Sequence, residues 1–191
     1  MYIFITFITL SFLFLIFLLL WYFLDALFCK EDNVTNKDTT KKLADFFNKN
    51  YPEGGNFYDL GSSRGGFALD LTEQCPQLQI TGIDNSLLRI WISRLRAWIG
   101  NKKVIFKKED IFKTNISKAD LIYVYIPIIL LPKLAIKLKK ELPREAVVVT
   151  SVSTPTNFTD WEPVKVIPKN PKNENERDIF IYKFPFRKET L

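Results

Sequence analysis

The chain has 191 residues, with 27 Lys+Arg against 21 Asp+Glu, a net charge of +6, two cysteines and no histidine. The missing histidine excludes histidine general bases, Ser-His-Asp triads and histidine metal sites, so no metal is expected. Two cysteines make no disulfide framework, and a modest positive balance fits nucleic acid, anionic lipid or solubility alone.

Met1–Leu24 contains no charged side chain, and the first is Asp25. Twenty-four helical residues span ~36 Å, enough to cross a ~30 Å hydrocarbon core with some tilt. A cleaved signal peptide fits poorly, because the start is not basic, the apolar run is too long and no A-x-A site follows. The expectation is a transmembrane anchor over 1–28, a polar linker over 29–40 and a folded domain over 41–191. The basic domain is expected on the cytosol-like side of the membrane.

Within that domain, "KKLADFFNK" has helical spacing and "YPEGGN" stops it. An alternation follows. "NFYDL" predicts a strand, "GGFALDLTEQC" a helix and "LQITGID" a strand. "SLLRIWISRLRAWIG" predicts a helix that Ser86 caps and Gly100 ends. Its residues Leu87, Leu88, Trp91, Leu95 and Trp98 share one face and are expected to face the core. "KVIFKK" and "ADLIYVYIP" predict strands. "PKLAIKLKKEL" predicts a helix opened by Pro132. "AVVVTSV" predicts a buried strand, and "PVKVI" and "DIFIYKF" follow with no helical segment between them. Alternating strands and helices predict an α/β fold with a mainly parallel sheet covered on both faces; the last two strands are expected as an antiparallel pair at one edge.

Ligands of such sheets sit at the carboxyl ends of the strands. "DLGSSRGG" (59–66) lies there, after the first strand. Gly61, Ser63 and Gly66 fit the dinucleotide pattern G-x-G-x-x-G with one glycine missing, a weak match that leaves an unliganded tight turn open. Asp59 discriminates between ligands. Its carboxylate would repel a pyrophosphate and attract a cation. S-adenosylmethionine carries a sulfonium and an ammonium group. Asp84 ends the second predicted strand and can accept from ribose hydroxyls. Asp110 follows the third, where its carboxylate can accept from an adenine amino group with Ile111 against the ring. Each acid alone reads as a cap or turn residue; three at successive strand ends favour S-adenosylmethionine. Ser63 is small enough to let a ligand approach, although only glycine takes positive φ freely.

These residues resemble the class I, seven-β-strand methyltransferases. More narrowly, "YDLGSSRGG", "GIDNSLLRIWISRLRAW", "LIYVYIP" and "AVVVTSVSTP" with Trp161 resemble the small membrane-anchored mitochondrial protein-lysine methyltransferases. That family modifies the adenine nucleotide translocase and the ATP synthase c subunit. The resemblance covers about residues 56–162. It implies a Rossmann-like seven-stranded sheet and S-adenosylmethionine at Asp59, Gly61, Ser63, Gly65, Asp84, Asp110 and Ile111. It also implies a substrate-side role for Tyr125 and Pro127, and a methyltransferase domain following the anchor. Ser63 and Arg64 depart from it, standing where the family has a glycine and an acidic residue.

The chemistry suits the composition. Methyl transfer from a sulfonium is an in-line displacement, in which alignment supplies much of the acceleration. A lysine acceptor loses its proton more readily when desolvated beside a cation, so no dedicated base is expected. The expected partners are the lipid bilayer and a membrane or membrane-proximal protein. "YVYIP" lacks the motif of amino-methylating DNA enzymes, which counts against nucleic acid. A lipid or lipophilic small-molecule acceptor and a catalytically degenerate, membrane-tethered binding module stay open as alternatives. Tyr123 and Tyr125 share one strand face, with Tyr123 read as core. The stripes Arg89, Arg94, Arg96 and Lys133, Lys137, Lys140 read as solvated faces.

Overall fold

The computed structural model describes residues 2–28, 35–151, 161–173 and 176–185. Residues 29–34 of the expected linker, with Cys29, and the "VSTP" stretch after Ser151 lie outside the described residues. The chain divides into two units, Met1–Asp32 and Asn33–Leu191.

The first unit is a single helix, α1 (Tyr2–Phe28). Its segment Phe4–Leu24 is long and apolar enough to cross a membrane. The apolar side chains of Phe4–Leu24 are exposed. Two hydroxyls of α1 bond within the helix: Thr6 Oγ1 donates to the Tyr2 carbonyl at 2.9 Å and Thr9 Oγ1 to that of Ile5 at 2.8 Å. This internal bonding is what an apolar medium requires of a spanning segment.

The second unit opens with α2 (Lys37–Asn50), which starts inside the stretch expected as linker. Asn36 caps it, its side chain accepting from the Asp38 N–H at 3.0 Å. The sequence "KDTT" hides this start because the first turn buries Thr39 and Thr40, not apolar residues. There follow β1 (Gly55–Leu60), α3 (Gly66–Gln74), β2 (Leu78–Asp84), α4 (Leu87–Ile99), β3 (Val104–Lys108) and β4 (Leu121–Val124). A 3-10 turn (Ile128–Leu130), α5 (Leu131–Glu141), β5 (Val147–Thr150), β6 (Lys165–Ile167) and β7 (Ile179–Lys183) complete the order.

The seven strands form one sheet in the order β3-β2-β1-β4-β5-β7-β6. β1 to β5 run parallel to one another, and β7 pairs antiparallel with β5 and β6. The antiparallel edge arises because no helix separates β6 from β7, so the chain cannot cross back to add a parallel strand. Two apolar clusters cover the sheet. One joins Leu43 and Phe47 of α2, Phe67 and Leu71 of α3 and Ile90 of α4 to Phe57, Ile80 and Phe106 of the strands. The other joins Leu131, Leu134 and Leu138 of α5 to Leu60, Ile83 and Val124. From β1 the chain runs outward to β2 and β3, then returns to place β4 on the other side of β1. The strand order therefore reverses between β1 and β4, where folds of this kind form a ligand crevice.

The structure reverses the expectation for α4. Leu87, Trp91, Leu95 and Trp98 are exposed, and the buried face is Ile90, Ser93 and Ala97. Inward, Ile90 joins the apolar core while Ser93 bonds the Ser63 carbonyl after β1. Both stripes have helical period, so spacing alone could not say which one faces the sheet.

In the lysine stripe of α5, Lys133 and Lys140 are exposed as expected, and Lys137 is not. Lys137 is buried. Its ammonium donates to the Thr114 carbonyl at 2.6 Å and pairs with Glu141. Lys133 lies over the Phe112 ring, 4.2 Å from its centroid.

Candidate active site

Asp59 is the fifth residue of β1, between Gly82 of β2 and Tyr123 of β4. It is 3 % exposed, and its Oδ2 is buried with no hydrogen-bond partner among the described residues. Burial first, and the nearby Asp84 charge second, push its carboxyl up to about 8. A carboxylate that has lost water without gaining a donor is costly in a free protein. It is a ready partner for an incoming cation.

The loop after β1 turns through left-handed backbone at Gly61 (φ +88°), Ser63 (φ +49°) and Gly65 (φ +74°). The N–H groups of Gly61 and Ser62 both donate to the Ile83 carbonyl, at 2.9 and 2.8 Å. A Cβ on Gly61 would stand 2.8 Å from Ile126 Cγ2, so this glycine lets the β4 segment approach. Ser63 takes a conformation that usually selects glycine, and its neighbours hold it there. Its N–H donates to Asp84 Oδ2 at 3.0 Å, and its carbonyl accepts from Ser93 Oγ at 3.1 Å. Ser62 Oγ is a second buried polar atom with no partner among the described residues.

Asp84 ends β2, buried, and serves as the joint of the site. Its Oδ1 accepts from the Ser86 N–H at 2.8 Å, fixing the start of α4, while Oδ2 holds the glycine turn. The Arg89 guanidinium stands 3.9 Å from Oδ2. Asparagine at 84 has only one acceptor oxygen, so one of the two backbone N–H groups would be left facing an amide donor. Asp84→Asn is therefore expected to destabilise the fold by ~1–3 kcal/mol while also weakening cofactor binding. Thermal melts and calorimetry on the same variant check this. Affinity lost at an unchanged melting temperature would restrict Asp84 to the ligand.

Asp110 lies in the turn after β3 and is exposed. Its Oδ1 accepts from the Phe112 N–H at 2.9 Å, and its carbonyl receives the N–H groups of Lys113 and Thr114. The structure thus gives it the turn-forming role that a lone acid at a strand end also allows. Ile111 is half-buried against the second apolar cluster. Tyr125 and Pro127 follow β4, both half-buried. The Tyr125 ring packs on both clusters, with the Arg177 guanidinium 5.7 Å from its centroid. Tyr123 is core, as expected. Its hydroxyl lies 2.9 Å from Ser151 Oγ and 3.0 Å from Thr35 Oγ1, and burial raises its phenol above the usual value.

Sequence reasoning missed four groups. Ser93 holds the Ser63 carbonyl, and the Arg94 guanidinium grips the Phe106 carbonyl through Nε at 3.0 Å and Nη2 at 2.8 Å. The Arg96 guanidinium donates to the Arg64 carbonyl at 2.8 Å, and the Phe106 ring fills the space under Gly65 and Gly82. The arginine stripe is thus not simply a solvated face. Arg94 and Arg96 bond to backbone atoms remote in sequence, which no local spacing could show.

The model of the ANTKMT methyltransferase domain matches residues 59–165, more than half of the chain. The chain belongs to this family. Its domain opens at Asp59 itself and spans the glycine turn, Asp84, Asp110 and the segment after β4. Solved structures share the architecture of this methyltransferase. An RNA methyltransferase from Salinibacter ruber, in complex with S-adenosyl-L-homocysteine, superposes with a TM-score of 0.65 at 18% identity. It covers 83% of this chain and 95% of its own. The PH0226 protein from Pyrococcus horikoshii OT3 gives 0.60 at 13% identity, covering 80% and 93%. The bifunctional kinase-methyltransferase WbdD gives 0.57 at 14%, covering 78% of this chain and 40% of its own. At such identities the likeness is one of fold. No curated protein matches the sequence.

Proposed function

We propose that this methyltransferase is a membrane-anchored protein-lysine N-methyltransferase that uses S-adenosylmethionine and acts on a membrane or membrane-proximal protein. The observation that carries the reading is the buried, unpartnered Asp59 Oδ2 beside a left-handed glycine turn at the β1–β4 switch point. A pyrophosphate there would meet a carboxylate; an ammonium group would complete it. Bound at this site, S-adenosylmethionine supplies a methyl group on a sulfonium centre, open to displacement by a nucleophile.

The residues divide the work. Asp59 would hold the cofactor's ammonium group, and Gly61, Ser63 and Gly65 would let the backbone pass close to it. Asp84, at the carboxyl end of β2, would accept from the ribose hydroxyls. Asp110 and Ile111 would flank the adenine. Tyr125 and Pro127 would wall the acceptor side. A lysine entering between them sheds water, which drives its ammonium toward the neutral, nucleophilic amine. The helix α1 would tether the domain to the bilayer on the cytosol-like side, raising the local concentration of acceptors there.

The test is to incubate the full-length protein with methyl-labelled S-adenosylmethionine and native membranes. Label in a discrete protein band, released on hydrolysis as methyl-lysine, is the expected result. Label confined to the lipid extract would replace lysine with a lipid acceptor. Cofactor binding without transfer to either would leave a tethered binding module.

A further inference from the structure

The outward stripe of α4 is exposed among the described residues. Trp98 is 79% exposed and Trp91 58%, with Leu87, Leu95 and Ile99 beside them. Isolated exposed apolar residues are ordinary, but a contiguous stripe along a helix marks a surface made to be covered. Tryptophan concentrates at membrane–water interfaces, where its ring is buried and its indole N–H stays wet.

The charge around this stripe selects the occupant. Residues 85–108 contain seven Lys/Arg (89, 94, 96, 102, 103, 107, 108) and no Asp or Glu. The rest of the chain then holds 27 − 7 = 20 Lys/Arg against 21 Asp/Glu, a charge of −1. The positive excess of the whole protein therefore sits on α4 and β3. Arg94, Arg96, Lys103, Lys107 and Lys108 are exposed. The guanidinium groups of Arg94 and Arg96 are held by backbone carbonyls, so they lose little freedom on binding. An apolar, tryptophan-bearing helix face, with exposed cations on the helix and on the strand packed beside it, has the make-up of an interfacial helix on anionic lipid.

We propose that the outward face of α4 docks on an anionic bilayer surface, with Trp91 and Trp98 at headgroup depth and the flanking cations on lipid phosphates. This rests on the membrane reading above and deepens it. Because α4 starts three residues after Asp84, docking would hold the cofactor end of the sheet at the lipid surface, where acceptor lysines emerge.

The full chain would carry Cys29→Ser, leaving the buried Cys75 as the remaining native cysteine. Trp98→Cys in this background, labelled with a nitroxide, is reconstituted in nanodiscs of phosphatidylcholine with or without phosphatidylglycerol. Lys172→Cys, on the exposed β6–β7 connection, is the control. Collisional accessibility to oxygen over that to a polar nickel chelate is measured at each position. The expected ratio at 98 is several-fold above that at 172, rises with phosphatidylglycerol and falls with salt. Carbonate-resistant flotation of the same samples separates the two readings. A chain that floats with label 98 as accessible to nickel as label 172 overturns the docking and leaves the anchor. A chain that does not float overturns both. Label-to-label broadening would place a second copy on the face and overturn the lipid assignment.

Discussion

Asp59→Asn is expected to raise the melting temperature of the cofactor-free protein while weakening S-adenosylmethionine binding. The asparagine removes a carboxyl whose charge is penalised by burial but keeps its shape. The sign follows from the proton balance. The folded carboxyl titrates near 8 against 3.8 as its ordinary value. Between those two pH values the folded state binds more protons than the unfolded state, so the Asp59 contribution falls as pH rises through the window and levels off above it. The stabilisation by asparagine is therefore expected to be greatest at pH 8 and above, at about 1–3 kcal/mol, or roughly 2–12 °C in a domain of this size. Circular-dichroism melts at pH 5 and pH 8.5 check it; equal shifts at both would show that Asp59 does not titrate in the window.

Binding runs the other way. A charge-assisted contact between Asp59 and an ammonium group is worth ~1.5–3 kcal/mol, so asparagine should cost roughly tenfold to a hundredfold in affinity. The wild-type carboxyl is largely protonated at pH 7 and must ionise to hold a cation. Cofactor binding should then release close to one proton. Calorimetry in two buffers of different ionisation enthalpy measures this directly. Asp59→Asn should abolish the release, and an unchanged release would move the ammonium away from Asp59. This pairing of higher stability with lower affinity contrasts with Asp84→Asn, where both should fall.

Gly65→Ala is the second large effect, expected to destabilise the fold by about 2–5 kcal/mol and to remove measurable cofactor binding. Two independent costs act at this position. The residue has φ +74°, and a Cβ would stand 2.5 Å from Phe106 Cζ and 3.0 Å from Ser93 Cβ. Gly82 separates the two. Its φ lies outside the left-handed range, yet a Cβ there would meet the same ring at 2.6 Å. Combining each substitution with Phe106→Leu partitions the cost. The leucine should recover much of the stability lost in Gly82→Ala and only part of that lost in Gly65→Ala, because backbone strain remains. Urea denaturation of the four variants reads the difference. Full recovery of Gly65→Ala would show that its conformation carries no cost.

What the sequence by itself determined was local and periodic. Strand and helix order follow from the switch between two-residue and 3.6-residue spacing, broken by glycine and proline. The antiparallel edge follows from the missing helix between "PVKVI" and "DIFIYKF". The acids at the first two strand ends could be placed because a strand of known direction carries its last residue to the ligand edge. Tertiary structure decided what local spacing cannot encode. Of the two stripes on α4, the sheet accepted Ile90, Ser93 and Ala97 and turned the tryptophans outward, because the inward face must meet the glycine turn, where Ser93 bonds the Ser63 carbonyl, as well as the apolar core. Ser63 keeps its left-handed backbone through Asp84 and Ser93, 21 and 30 residues away. Lys137, one of a lysine stripe, is buried because the Thr114 carbonyl and Glu141 meet its ammonium there. Asp59 is an ordinary carboxylate in the sequence. It becomes an elevated, unpartnered one only when Gly82, Tyr123 and Asp84 close around it, since desolvation is a property of packing and not of the residue.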